Sequence, residues 1–283
     1  MTDQINDINK VGATAFVIAS IRHLESEKER PLFSDPFAEW FSNPLAEEAV
    51  RKMELAFTPS TSMIRFRTRY FDELIHSQIQ KGVKQIVLLG GGFDMRAHRL
   101  NRAGVIFYEV DQRAVLEHKT AVLKKHGLTQ PPSLMANYLE TDVSKGLVDV
   151  GFDLTLPSLF IWEGNTMYLP PESIIPFINS LADNMPFLGL GFDYFSVDLQ
   201  NREQNSAREM KIIGAIEKAL NVSFATGFKD LSIFKKNTQY KLGETGSFYL
   251  LAEQFGRKDI IDAFPEDWQL ILQLYRYCFL TTK

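Results

Sequence analysis

Gln85-Ile-Val-Leu-Leu-Gly-Gly-Gly-Phe-Asp-Met-Arg96 is the stretch on which the reading of this chain turns. Gln85–Leu89 is a short, continuous apolar run, the pattern of a parallel strand buried on both faces. It runs directly into Gly90-Gly91-Gly92. Three glycines after such a strand serve a plain turn, or let the backbone approach a ligand closely. Loops of this kind take dinucleotides, nucleotides or S-adenosylmethionine. The dinucleotide fingerprint G-x-G-x-x-G/A fails, because Met95 stands where its third small residue belongs. A phosphate-binding P-loop fails too, because no Lys-Ser or Lys-Thr follows. Glycines without the third one suit a ligand that has no pyrophosphate.

Downstream, the same rhythm repeats. Val105–Val110 reads as a second strand, followed by a helix over about 113–125. Ser133–Tyr138 is a weaker third strand. Pro157–Trp162 is a fourth, with a helix from Pro170-Pro171 to about Asn184, and Phe187–Phe195 is a fifth. Strand and helix alternating at this spacing imply βαβ units, hence an α/β fold: a mostly parallel central sheet with helices on both faces. Residues 200–221 read as a helix, 222–265 show no clear pattern, and a closing strand is expected from Leu274. Ligands of such sheets sit beyond the carboxyl ends of the strands. Three strands end there in acids. Asp111 follows the glycine loop by about 20 residues, where an acid accepts from ribose hydroxyls or else caps the next helix. Asp142 suits an adenine amino group or a loop cap, and Glu163 closes the fourth strand. Three acids over one cleft fit a cationic ligand carrying a ribose and an adenine, and S-adenosylmethionine is one.

Upstream lie helices. Residues 13–30 read as one, stopped by Pro31; Asp35-Pro36 begins a short second, Pro44 a third, and a long helix spans about 62–81, closed by Gly82. At ~100° per residue, Met63, Phe66, Tyr70, Phe71, Leu74 and Ile75 share one side of the long helix. Arg65, Arg69 and Asp72 fall opposite, as surface charges should. Arg67 projects from the middle of the apolar stripe. A cation there snorkels, pairs with a structural carboxylate, or clamps a ligand carboxylate in its planar fork.

Composition sets the outer bounds. Hydrophobic residues at 45% and charged residues at 23% describe a globular protein, not a disordered one. A net charge of −4 argues against nucleic acid as a partner. One cysteine, Cys278, leaves no disulfide framework, and no cluster of metal-ligand spacing appears, so no metal is expected. No apolar run reaches the ~18 residues of a membrane span, and the first residues lack the basic and apolar regions of a secretory leader. The expectation is a cytoplasmic protein without a membrane partner.

These segments together resemble the leucine carboxyl methyltransferase family, specifically its bacterial branch of S-adenosylmethionine-dependent methyltransferases, which includes tetracenomycin-type polyketide O-methyltransferases. The blocks are Thr14-Ala15 through Arg22, Pro31–Ala38, Arg67-Thr-Arg-Tyr-Phe-Asp72, Gln85–Leu100, Tyr108-Glu-Val-Asp-Gln112, and Trp162-Glu-Gly164 with Met167-Tyr-Leu169. The resemblance implies a Rossmann-like class I methyltransferase fold and a site for S-adenosyl-L-methionine. It implies that Arg67 holds the methionine carboxylate and that Gly90, Gly91 and Gly92 pack against the methionine backbone. Asp111 would take the ribose, with Gln112 also at the cofactor, Asp142 with Val143 would hold the adenine, and Glu163 would lie near the amino acid end. The chain departs from the family pattern at Asn165-Thr166, usually an apolar pair, at Arg113, usually proline, and at Val143, usually leucine.

The expected reaction is methyl transfer to an oxygen, a carboxylate or hydroxyl, of a small-molecule acceptor or a protein C-terminal carboxylate. A carboxylate needs no general base and a hydroxyl does. Of the histidines, His76, His118 and His126 read as surface and His98 as packing, so no base is evident. Tyr168 and Tyr194, at the carboxyl edges of strands four and five, are candidates to face an acceptor, or are core and rim aromatics. The alternatives are a nicotinamide-dependent oxidoreductase on a similar sheet and a non-catalytic cofactor-binding or interaction protein. The chain reads as one methyltransferase domain over 1–283: a helical cover (1–82), a cofactor-binding core (83–195), and an insertion with closing strands (196–283).

Overall fold

The computed structural model describes residues 13–220 and 222–282; the reading of the chain's first residues lies outside them. Among the described residues seven strands form one sheet: β1 (Gln85–Leu89), β2 (Ile106–Asp111), β3 (Ser133–Met135), β4 (Ser158–Trp162), β5 (Leu188–Phe195), β6 (Tyr240–Ser247) and β7 (Tyr275–Thr282). Their order is β3-β2-β1-β4-β5-β7-β6. The first five are parallel, with Gln85 opposite both Ile106 and Ser158. β7 runs antiparallel between β5 and β6. The order reverses between β1 and β4, which opens a crevice beyond their carboxyl ends.

Helices cover both faces. In chain order they are α1 (Ala13–Ser26), α2 (Pro44–Ala56), α3 (Pro59–Gln80), α4 (Arg96–Arg99), α5 (Arg113–Lys125), α6 (Val143–Asp149), α7 (Pro171–Asn184), α8 (Ala207–Leu220), α9 (Ser232–Asn237), α10 (Phe248–Gln254), α11 (Lys258–Asp262) and α12 (Glu266–Leu274). The first helix stops at Ser26 rather than Arg30, and the expected second helix is a single 3-10 turn, Ala38–Phe41. The patternless 222–265 stretch holds α9, β6, α10 and α11. No helix among the described residues is long and apolar enough to cross a membrane.

α3 positions the site. Pro59 opens it, where a missing N–H costs nothing. Gly82 closes it at φ 99°, with the Gly82 and Val83 amides donating back to the Ile79 and Gln78 carbonyls. Its apolar stripe, Phe66 through Ile75, packs on one face of the sheet with Ile86, Leu88, Leu159 and Ile161. The opposite side is not the solvent face expected of Arg65 and Asp72: both are buried. α1 and α2 lie over that side, so the helix is enclosed, and each charge has a partner. Arg65 pairs with Glu25 at 3.1 Å and Glu54 at 3.0 Å, while Asp72 takes Arg96 Nε at 2.6 Å. Arg69 is part-exposed beside Glu73, as expected.

β5 explains its own glycines. Side chains alternate across a strand. Leu188, Leu190, Phe192 and Tyr194 enter the core under α6 and α7, and residues 189, 191, 193 and 195 face α3. A Cβ on Gly191 would stand 2.7 Å from Leu74, and one on Gly189 2.9 Å from Phe279. Glycine there lets α3 and Phe279 close on the sheet, and the next residue on that face is Asp193.

Candidate active site

At the carboxyl ends of β1, β4 and β5, under α1, α2 and α3, lies a cavity of about 680 Å³. That is within the usual size of a small-ligand site. Its floor is the glycine loop. Gly90 and Gly92 sit at φ 59° and 60°, a backbone region other residues rarely adopt. The Gly90 amide bonds the Val110 carbonyl, and the Gly92 amide donates to Asp111 Oδ2 at 2.8 Å. Asp111 Oδ1 takes the Gln112 amide at 2.7 Å. Each carboxylate oxygen keeps a lone pair for another donor. Burial pushes the Asp111 carboxyl up, more than these two amides lower it.

The wall opposite is a buried ionic network. Arg67 Nε donates to Glu163 Oε1 at 3.0 Å and Nη1 to Tyr275 Oη at 2.8 Å; Nη1 also lies 3.6 Å from Asp193 Oδ2. Tyr275 in turn donates to Asp193 Oδ2. Arg96, fully buried, donates to Asp72, Asp94, Glu163 Oε2 and the Thr68 carbonyl. Arg22 reaches Asp94 and Glu163 only at 3.6 and 3.7 Å, and its buried Nε has no hydrogen-bond partner among the described residues. Burial alone would raise the Glu163 carboxyl; Arg96, Arg67 and Arg22 outweigh it and hold the group below its ordinary value. Asp94 is lowered in the same way, burial being overcome by Arg96, Arg22, Arg99 and Lys119. Asp193 goes the other way: burial dominates Arg67, Tyr275 and the Gly164 amide, and raises it. Below the loop, Lys119 is buried and donates to the Asp94 carbonyl and to Glu109 Oε1, which braces the turn from beneath.

Of the residues expected at the site, Arg67, Gly90, Gly91, Gly92, Asp111, Gln112, Glu163 and Tyr168 line this cavity. Asp142, Val143 and Tyr194 do not. Asp142 is exposed and caps α6, accepting the Lys145 amide at 3.0 Å. Val143 and Tyr194 are core residues on the far side of the sheet, Tyr194 because strand alternation turns it away. Arg22, Asp94 and Tyr275 line the cavity without having been singled out, and so does Asn165, noted only as a departure from the family pattern. The Asn165-Thr166 departure has a structural use. Asn165 Nδ2 donates to the Glu163 carbonyl at 2.7 Å, and Thr166 Oγ1 donates to the Asp193 carbonyl, which stitches the end of β4 to its neighbour. His118, expected at the surface, is half-buried with its ring edge-on to Phe16.

The remaining walls are apolar: Val17 and Ile18 of α1, Met53 of α2, Met63 and Ile64 of α3, and Met167, Phe195, Ile216, Val222 and Phe224. No histidine or lysine is among the described residues of the lining. A 3-2-1-4-5-7-6 sheet with a glycine loop at β1 and an acid ending β2 defines a Rossmann-like methyltransferase of class I. The chain belongs to the leucine carboxyl methyltransferase family, whose model matches residues 15–182. A relative in Mycobacterium tuberculosis, named as an S-adenosyl-L-methionine-dependent methyltransferase, is 34% identical over 236 residues, 72% of this chain and 73% of its own length. One so named in Mycobacteroides abscessus is 36% identical over 215 residues, 67% and 69% of the two chains. A crystal structure from Thermobifida fusca, described as a methyltransferase, superposes with a TM-score of 0.63 at 14% identity, covering 95% of this chain and 94% of that one.

The residues present fit S-adenosylmethionine. The Arg67 fork and the unpartnered Arg22 Nε are donors for a carboxylate. Asp111 has acceptor capacity for a ribose diol, and the positive-φ glycines bring backbone alongside.

Proposed function

We propose that this S-adenosylmethionine-dependent methyltransferase places its methyl group on an oxygen of a small, largely apolar acceptor. When bound, the cofactor supplies a methyl group on a sulfonium centre. Arg67 holds its carboxylate, Gly90 to Gly92 pack along the methionine chain, Asp111 and Gln112 take the ribose, and Glu163 faces the ammonium end. Asp142 Oδ1 caps α6, its carboxylate keeps lone pairs for the adenine amino group, and Val143 follows it at the start of that helix. Tyr168, half-exposed at the rim, faces the acceptor.

The observation that carries the oxygen assignment is the composition of the acceptor side. Among the described residues its walls are aliphatic, thioether and phenyl groups with the Tyr168 phenol, which burial raises, at the rim, and no histidine or lysine is there to take a proton. Glu163 and Asp94 are locked by arginines and held low, so they are poor bases. A carboxylate needs none, which supports an ester product over an ether. Neither a nicotinamide oxidoreductase nor a non-catalytic protein is favoured by the family or its named relatives.

Calorimetric titration of purified protein tests the cofactor: S-adenosylmethionine binds and NADH does not. Transfer of a labelled methyl group is then followed with apolar carboxylic acids, phenols and a peptide ending in a free carboxylate. The expected product is an alkali-labile methyl ester of a small acid. Label appearing only in alkali-stable ethers overturns the carboxylate assignment, and label on the peptide alone overturns the small-molecule one.

A further inference from the structure

Arg67 and Asp193 are a buried cation and a buried anion that do not touch. Their nearest atoms, Nη1 and Oδ2, are 3.6 Å apart, and the carboxylate is fully buried. A guanidinium and a carboxylate at that range in a dry interior normally close into a hydrogen-bonded pair. The Tyr275 hydroxyl prevents it. Its oxygen accepts from Arg67 Nη1 at 2.8 Å, and its proton goes to the same Asp193 oxygen that Arg67 would otherwise take. The other Asp193 oxygen accepts the Gly164 amide at 2.7 Å. Asp193 is thereby occupied on both oxygens by neutral donors.

The guanidinium is fixed on its remaining sides. Nε is on Glu163 at 3.0 Å, and the flat face lies over Gly164, where a Cβ would come within 2.8 Å of Nη1. Tyr275 is itself held by rings: Phe195 at 5.0 Å and Phe248 at 4.7 Å between centroids. The hydroxyl is therefore a rigid wedge between two opposite charges, on the wall of the cavity.

We infer that Tyr275 and Asp193 are positioning residues for the cofactor: Tyr275 is a spacer that keeps Arg67 from collapsing onto Asp193 and so presents the guanidinium to the ligand carboxylate. The inference rests on the reading that Arg67 holds that carboxylate. Removing the hydroxyl while keeping the ring leaves nothing between the charges. Arg67 then swings toward β5, satisfies Asp193, and no longer faces the cavity. Removing the Asp193 charge as well takes away the competing partner, and Arg67 is free for the ligand again.

The test uses two probes that differ in the group Arg67 binds. S-adenosylhomocysteine has the amino acid carboxylate; 5′-methylthioadenosine lacks the amino acid part altogether. Dissociation constants are measured by calorimetry for wild type, Tyr275→Phe, and Tyr275→Phe with Asp193→Asn. In Tyr275→Phe, affinity for S-adenosylhomocysteine should fall about tenfold, the scale of one hydrogen bond to a charged group. Affinity for methylthioadenosine should stay within about twofold, below the scale of any such bond. Adding Asp193→Asn should bring S-adenosylhomocysteine back to within about threefold of wild type, because the competing charge is gone. Unchanged binding of S-adenosylhomocysteine by Tyr275→Phe overturns the spacer role. Equal weakening of both probes shows general disruption and overturns it too, as does failure of Asp193→Asn to restore affinity. A wild-type protein that binds neither probe overturns the cofactor reading itself, and the spacer role with it.

Discussion

Gly164 has no side chain, and Arg67 uses the space. It sits at φ 73°, and an added Cβ would meet three atoms of the guanidinium within about 3 Å. Gly164→Ala therefore combines backbone strain with displacement of the arginine. We expect a lower melting temperature and weaker binding of S-adenosylmethionine, read by calorimetry. Arg67→Ala should weaken cofactor binding more than Arg65→Ala. Arg65→Ala should lower the melting temperature instead, because it takes a buried cation from Glu25, whose side chain is 1% exposed and is left with Lys28 at 2.8 Å and the Leu32 amide. Equal effects of both variants on binding would make Arg67 structural only. Arg67 was legible from the sequence because a charge in an apolar stripe stands out by angle. The burial of Arg65 was not, since periodicity shows which side of a helix is apolar and not whether a second layer covers the polar side. Tyr194, open in the sequence between facing an acceptor and packing in the core, is a core residue, and the sequence could not decide it for a different reason. Its neighbour Asp193 lies against the site, but the rest of β5 is aliphatic, aromatic or glycine on both faces, so the alternation that tells them apart is invisible in the letters.

At the scale of elements, one arginine joins four of them. Arg96, the first residue of α4, bonds Asp72 and Thr68 of α3, Asp94 of the glycine loop, and Glu163 at the end of β4. Arg96→Met leaves three carboxylates facing each other without their shared cation. Removing one partner of a buried pair costs about 3–5 kcal/mol. We expect that loss in the denaturant midpoint, at unchanged slope, and no such loss for Arg113→Met, whose side chain is largely exposed. Elements with a strong period were recovered: β1, β2, β4, β5, α3, α5 and α7 match the sequence to within a few residues. β6 was not. Its sequence, Tyr-Lys-Leu-Gly-Glu-Thr-Gly-Ser, has two glycines and two charges, and a bulge between Leu242 and Thr245 breaks the alternation. Those features suit an edge strand and hide it. The glycines are required, since a Cβ on Gly246 would stand 2.3 Å from the Tyr277 hydroxyl.

For the molecule as a whole, the buried carboxylates make stability depend on pH in a direction that can be worked out. Asp94 and Glu163 titrate below their ordinary values of 3.8 and 4.5 because arginines outweigh their burial. A lowered carboxyl stabilises the folded state fully above its ordinary value, and that contribution is lost as the pH falls through the folded one. Asp193 and Asp111, raised by burial, act in the opposite sense and soften the loss. Asp94→Asn should therefore melt below wild type at pH 7, and the gap should narrow steadily in acid below about 4, the ordinary carboxyl range. A gap that stays constant with pH would show that Asp94 titrates alike in the folded and unfolded chain, and would overturn its stabilisation by the arginines. The general architecture was readable in advance because strand, glycine loop and acid recur in a fixed order. The union of distant pieces was not, as with Arg67 and Tyr275, which bond across 208 positions of chain. That separation has a temporal side. α3 precedes β1 and β7 is the last strand among the described residues, yet β7 is threaded between β5 and β6. A growing chain can lay down the glycine loop and its acids long before the wedge arrives, so competence to hold the cofactor should appear only once β7 has joined the sheet.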